Sequence, residues 1–145
     1  MGRIETGGIP QGPEKPRILC LDDCRELLFL MGRVWEEAGF EVWSTSDEAE
    51  AMCLLCFGDR IDLFTQDLER PCGEGGWQVL RWVKAHPVLR HIPVLIISAH
   101  PWWYASEQMA ENGIDSDALL AGYLTKPFTP ARLVEAAQAA IKRGR

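Results

Sequence analysis

The sequence predicts an α/β fold, a five-stranded parallel sheet with helices on both faces. Two observations predict it. Short apolar runs alternate five times with stretches whose apolar residues recur at helical spacing, and βα units in series build a parallel sheet with right-handed crossovers. One run, residues 92–97, is apolar or β-branched at nearly every position, the mark of a strand buried on both faces. The 145 residues suit one domain able to bury a core without disulfides or metal. Apolar types at 47% and charged types at 25% exclude disorder for most of the chain.

Each element has its own warrant. Residues 1–15 contain Gly7, Gly8, Pro10, Gly12 and Pro13 with no apolar period and read as a flexible leader, leaving 16–145 as the domain. Residues 17–21 form a buried strand. Leu27, Leu28, Met31, Val34, Trp35 and Ala38 then mark a helix over 25–38, closed by Gly39. A second strand covers 40–44, and a helix over 47–57 has Ser46 or Asp47 as its cap and Gly58 at its end. The third strand, 62–66, leads into a loop over 67–76 rich in glycine. Trp77, Val79, Leu80 and Val83 give the next helix an apolar face, and Pro87 stops it near His86. After the fourth strand, a helix over 101–112 ends at Gly113. The fifth strand covers 121–125, and Thr129-Pro130 caps a last helix running to about Lys142.

Composition also excludes functions. Twenty-one acidic against fifteen basic residues give a net charge of −6 and a pI near 5.1, which argues against a broad basic face for nucleic acid. The apolar runs fall short of a bilayer crossing, so membrane insertion is not expected. The start of the chain lacks a secretory pattern, which points to the cytoplasm. Cys20, Cys24, Cys53, Cys56 and Cys72 are an odd set and read as reduced thiols. Cys53-x-x-Cys56 is a candidate metal or redox pair, but no second Cys/His pair completes a zinc site, and small buried side chains are the expectation for all five. No G-x-G-x-x-G follows a strand and no phosphate-binding G-x-x-x-x-G-K-[ST] occurs, so nucleotide-dependent oxidoreduction is rejected.

In an open parallel sheet the ligand site lies beyond the carboxyl ends of the strands. Strand one exits into Asp22-Asp23, strand three into Asp67, strand four into Ser98 and strand five into Lys126-Pro127. Taken singly, each is an ordinary turn former, helix cap or surface charge. Together they bring three carboxylates, a hydroxyl and an ammonium to one edge. Clustered carboxylates resist ionising beside one another, and a hard divalent cation such as Mg²⁺ relieves that repulsion. The cation, Lys126 and Ser98 then suit phosphoryl oxygens, and Asp67, alone at the tip of its strand, is the natural nucleophile.

Those residues stand in the segments RILCLDD (17–23), DLFTQDLERP (62–71), GWQVL (76–80), IPVLIISA (92–99) and GYLTKPF (122–128). In that order and spacing they resemble the bacterial two-component response-regulator receiver domains, the CheY-like family, over residues 16–142. The resemblance implies a flavodoxin-like strand order of 2-1-3-4-5. It implies that Asp67 accepts a phosphoryl group from phosphohistidine on a histidine kinase or phosphotransfer protein. It further implies that Asp23 and Asp67 hold Mg²⁺ directly, Asp22 through water, and Glu69 through its main-chain carbonyl. Ser98 and Lys126 would bind phosphate oxygens. Ser98 and Tyr123 would act as the switch, with an ordinary half-buried tyrosine as the other reading of Tyr123. Glu69 and His100 would tune the lifetime of the acyl phosphate, and the Lys126-Pro127 bond would be cis.

The sequence departs from the family in two places. Gly75 replaces the usual Asp before Gly in a loop one residue longer than usual, and residues 100–121 form a longer connection carrying Trp102, Trp103 and Tyr104. Adjacent aromatics there either serve as anchors for a downstream protein target, on the face of the fourth helix, fifth strand and last helix, or pack into the core or cover the longer loop. Trp35, Trp77 and Trp82 fall on helical faces and read as structural. The leading expectation is a phosphoacceptor that switches protein contacts and is not a turnover enzyme. The rivals are a receiver-like interaction module without phosphorylation and, third, a metal-dependent aspartyl-phosphate phosphatase, in which Glu69 would stand where an acid/base Asp is usual.

Overall fold

A computed structural model describes residues 14–68 and 75–144. Its strands are β1 (Arg17–Leu21), β2 (Glu41–Thr45), β3 (Leu63–Gln66), β4 (Val94–Ser98) and β5 (Leu120–Thr125). Its helices are α1 (Arg25–Glu37), α2 (Glu48–Phe57), α3 (Gly75–Ala85), α4 (Trp102–Glu111), α5 (Ser116–Leu119) and α6 (Pro130–Arg143), with a single 3-10 turn at Leu89–His91. All strand pairs are parallel, in the order β2-β1-β3-β4-β5. The expected fold and strand order are therefore those observed. The leader lies outside the described residues up to residue 13, and Glu14 pairs with Arg60 at 2.7 Å.

Strand alternation builds two cores. Successive side chains of a strand point to opposite faces, so Leu19, Leu21, Phe64, Val94 and Ile96 meet α2, α3 and α4 on one side. Ile18, Cys20, Leu63, Leu95 and Ile97 meet α1 and α6 on the other. Double-sided burial is why these strands read as unbroken apolar runs. On the second face Trp35 of α1 is fully buried and its indole Nε1 donates to the Leu133 carbonyl of α6 at 3.2 Å. That bond ties the two helices of this layer together. Trp77 and Trp82 pack half-buried against the first core.

Helix ends follow the expected signals. Gly39 and Gly113 close α1 and α4 with φ of 103° and 75°, a region that a Cβ disfavours. Asp47 caps α2 by accepting from Ala49 N, and Thr129 caps α6 by accepting from Arg132 N. Asp62, expected inside the third strand, instead accepts from Arg17 N at 2.8 Å and pins the mouth of β3 to β1. One element was not anticipated. The short helix α5, capped by Asp115, occupies the long connection and feeds straight into β5. There the register with β4 slips by one residue, with Val94 opposite Leu120 but Leu95 opposite Gly122. The slip leaves Ala121 as a bulge.

Because Trp35 joins α1 to α6 with no exposed surface, Trp35→Ala should lower unfolding free energy by about 3–5 kcal/mol. Urea denaturation followed by circular dichroism measures the loss, and a fall below about 1 kcal/mol would contradict the packing described.

Candidate functional site

Parallel register brings the chemistry together. Leu21 lies opposite Gln66, so the residues that follow, Asp22 and Asp67, leave the sheet side by side. Asp67 N donates to the Leu21 carbonyl at 3.1 Å and Asp22 N to the Thr45 carbonyl at 3.2 Å, fixing both backbones at the edge. On the neighbouring pair Ser98 lies opposite Thr125, and Lys126 follows, its N–H donating to the Ser98 carbonyl at 2.7 Å. The Lys126-Pro127 peptide is cis, as expected.

The side chains converge from there. Asp22 and Asp67 are buried, at 2% and 4% exposure. Lys126 Nζ stands 3.2 Å from Asp22 Oδ2 and 3.4 Å from Asp67 Oδ1, one ammonium shared by two carboxylates. Asp22 Oδ1 also accepts from Cys24 N at 2.9 Å. Asp23, half-buried, follows at the start of the loop to α1. Among the described residues no three acidic, histidine or cysteine side chains close on one point as a ready-made cage. The donor set fits Mg²⁺ nonetheless, since that ion takes one or two carboxylates, keeps several waters and leaves room for phosphate. The pair already needs positive charge between its members, which Lys126 supplies here. Glu69, expected as carbonyl ligand and tuning residue, lies outside the described residues, as does the loop over 69–74.

A hydrogen-bonded path starts at Ser98, at the end of β4. Ser98 is fully buried, and its Oγ accepts from His100 N at 3.0 Å. The Tyr123 hydroxyl in turn donates to the His100 carbonyl. The Tyr123 ring meets Trp102 edge to face, with centroids 5.1 Å apart, while the His100 and Tyr104 rings lie 4.6 Å apart. Trp103 is exposed and contacts Tyr104 edge-on. Trp102, Tyr123, Ser116, Asp117, Leu120 and Arg143 line an open groove of about 420 Å³. Arg143 is a groove residue that sequence reasoning missed, whereas Asp117 lies in the long connection over 100–121 that the sequence singles out. Asp115, an Asx-type cap at the head of a four-residue helix, was the available signal for the wall that carries Asp117.

The family profile of response regulator receiver domains matches residues 18–138. The chain belongs to this family. Receiver domains of two-component systems are thus the class in which its geometry is to be read. It is 30% identical over 120 residues to the chemotaxis protein CheY-3 of Vibrio cholerae, covering 82% of this chain and 86% of that one. It is also 30% identical over 126 residues to the transcriptional regulatory protein GltR of Pseudomonas aeruginosa. That alignment takes in 87% of this chain and 49% of the relative, so the chain spans about half of that protein's length. A solved receiver protein from Sinorhizobium medicae shares 29% identity with a TM-score of 0.71, covering 91% and 98% of the two chains. The chemotaxis response regulator CheY4 of Vibrio cholerae matches in fold at a TM-score of 0.73 and 21% identity, covering 87% and 98%.

The cysteines of this receiver domain correct the sequence reading. Cys20 is buried, but Cys24, Cys53 and Cys56 are exposed free thiols, and Cys72 lies outside the described residues. Burial pushes the Cys20 thiol up from 9.0 to about 12, against a lowering hydrogen bond with Thr65. The thiolate is the reactive form. Iodoacetamide at pH 8 should therefore label Cys24, Cys53 and Cys56 in the folded protein and spare Cys20, which reacts only after unfolding. Peptide mapping by mass spectrometry reads the pattern, and early labelling of Cys20 would contradict its burial.

Proposed function

We propose that this receiver domain takes a phosphoryl group from phosphohistidine of a histidine kinase or phosphotransfer protein onto Asp67, with Mg²⁺, and thereby switches binding of a downstream protein. The observation that carries the reading is the buried Asp22–Lys126–Asp67 cluster, at 3.2 and 3.4 Å, on the strand exits beside Ser98. In this proposal Asp22, Asp23 and Asp67 hold the cation. When bound, it supplies charge neutralisation for the transferring oxygens.

The chain's own residues carry the rest. An Asp67 carboxylate oxygen forms a bond to phosphorus as the phosphorus–nitrogen bond to the donor imidazole breaks. The leaving nitrogen keeps the bonding pair and takes a proton from solvent. The Lys126 ammonium turns from the carboxylates toward a phosphoryl oxygen, where its charge offsets the roughly −1.5 to −2 that the group brings. The Ser98 hydroxyl turns toward another oxygen and draws on the His100 N–H. The His100 carbonyl then shifts with the Tyr123 hydroxyl it holds, and the Tyr123 ring moves against Trp102. Output passes to a partner on the face of α4, β5 and α6, where Trp102 and Trp103 present aromatic surface suited to anchoring.

Incubation with acetyl phosphate and Mg²⁺, followed by intact mass, tests the acceptor. The expected result is a gain of one phosphoryl group that disappears in Asp67→Asn and in excess chelator. No gain from acetyl phosphate or from any histidine kinase would leave an interaction module without phosphorylation. Repeated hydrolysis of donor by each protein molecule would instead make it a phosphatase.

The path to Tyr123 has its own test. In the wild type, phosphorylation should shift the amide resonances of His100, Trp102 and Tyr123. Lys126→Ala should keep the fold by circular dichroism yet lose those shifts, and unchanged shifts would remove Lys126 from the switch.

A further inference from the structure

Helix α2 is apolar around its whole circumference after Glu50, yet only part of it is covered. Ala51 and Leu55 are buried, while Cys53, Cys56 and Phe57 are exposed, Phe57 by 87%. Residues three and four apart share one helix face, so the two thiols and the phenyl ring form one outward patch. In a parallel α/β layer the helices run against the strands. The last turns of α2 therefore lie toward the amino edge of the sheet, away from the carboxylates at its carboxyl edge.

We propose that Cys53 and Cys56 form a two-thiolate site for a soft d¹⁰ cation of the Cu(I) class. Spacing decides against direct oxidation within the helix. Residues three apart on a helix hold their Cβ atoms about 5–6 Å apart, whereas a disulfide needs about 3.5–4.5 Å. An ion bridging two sulfurs, with metal–sulfur bonds of about 2.3 Å each, spans that gap without bending the helix.

Ligand count and softness choose the ion. Among the described residues no third His, Cys, Asp or Glu joins the pair, even with Glu50 one turn earlier. Zinc in a structural site takes four ligands and hard cations take oxygens. Two thiolates beside an exposed phenyl ring suit the soft ion that accepts two-coordination. Binding converts two thiols and one Cu(I) into a dithiolate complex and two released protons, so affinity rises with pH and no electron is transferred.

The test titrates the reduced full chain, under argon, with Cu(I) supplied as its bicinchoninate complex. The expected result is one Cu(I) withdrawn per chain, with two sulfur neighbours in X-ray absorption. Loss of even an outer-shell partner weakens a metal site by about 10–100-fold. Cys53→Ser and Cys56→Ser should therefore each weaken uptake by about tenfold or more, while Cys24→Ser leaves it unchanged. Uptake that survives either substitution, or half an equivalent per chain with dimers in sedimentation, would overturn the proposal.

Discussion

An ammonium held between two buried carboxylates is the constraint on which the rest of this domain turns. The sheet leaves no choice about the carboxylates. Leu21 and Gln66 are register partners at the ends of adjacent strands, and the next residue of each is an aspartate. Buried side by side, two carboxylates repel, and a cation between them offsets that repulsion. Lys126 reaches that place because β5 ends beside β4, with Thr125 opposite Ser98 and the Lys126 N–H on the Ser98 carbonyl. The carboxylates come from the centre of the sheet, and the ammonium and hydroxyl come from its β4–β5 side. A site that depends on positive charge is thereby joined to the edge strand that carries Tyr123.

Much of this was legible in the sequence, for physical reasons that can be named. The strands could be read because burial on both faces demands unbroken apolar runs. α1 and α6 could be read because their buried stripes, Leu28, Met31 and Trp35 in one and Leu133, Ala137 and Ile141 in the other, recur at helical spacing. The strand exits could be read because the residues that follow parallel strands meet at one edge of the sheet. α2 was legible as a helix but not in its orientation. A segment apolar on every side carries no period to say which residues face out, so the exposure of Cys53 and Cys56 had no signature. α5 escaped for a different reason. Four residues are too short for a period, and only the Asp115 cap marked them.

That short helix shapes the side of the domain built by α4, β5 and α6. By running directly into Leu120 it sets the register slip against β4, and a bulge at a sheet edge both bends the strand and blunts it against pairing with another chain. It also adds Ser116 and Asp117 as one wall of the groove that Trp102 and Tyr123 line. The aromatic pair is consequently neither wholly core nor wholly surface. Trp102 is 44% exposed while packing edge-on against Tyr123. Its inner side packs on Tyr123, and its outer side stays open to the groove.

Such a placement bears on the proposed switch. Between Ser98 Oγ and the groove lie two hydrogen bonds through the main chain of His100 and one ring contact. The His100 N–H and carbonyl belong to adjacent peptide planes that share one Cα, so both hydrogen bonds are anchored on the backbone of a single residue. Moving an equilibrium from 1:99 to 99:1 takes about 5.5 kcal/mol of preference between the states. The His100 ring, tilted against Tyr104 with centroids 4.6 Å apart, takes no part in these two backbone hydrogen bonds.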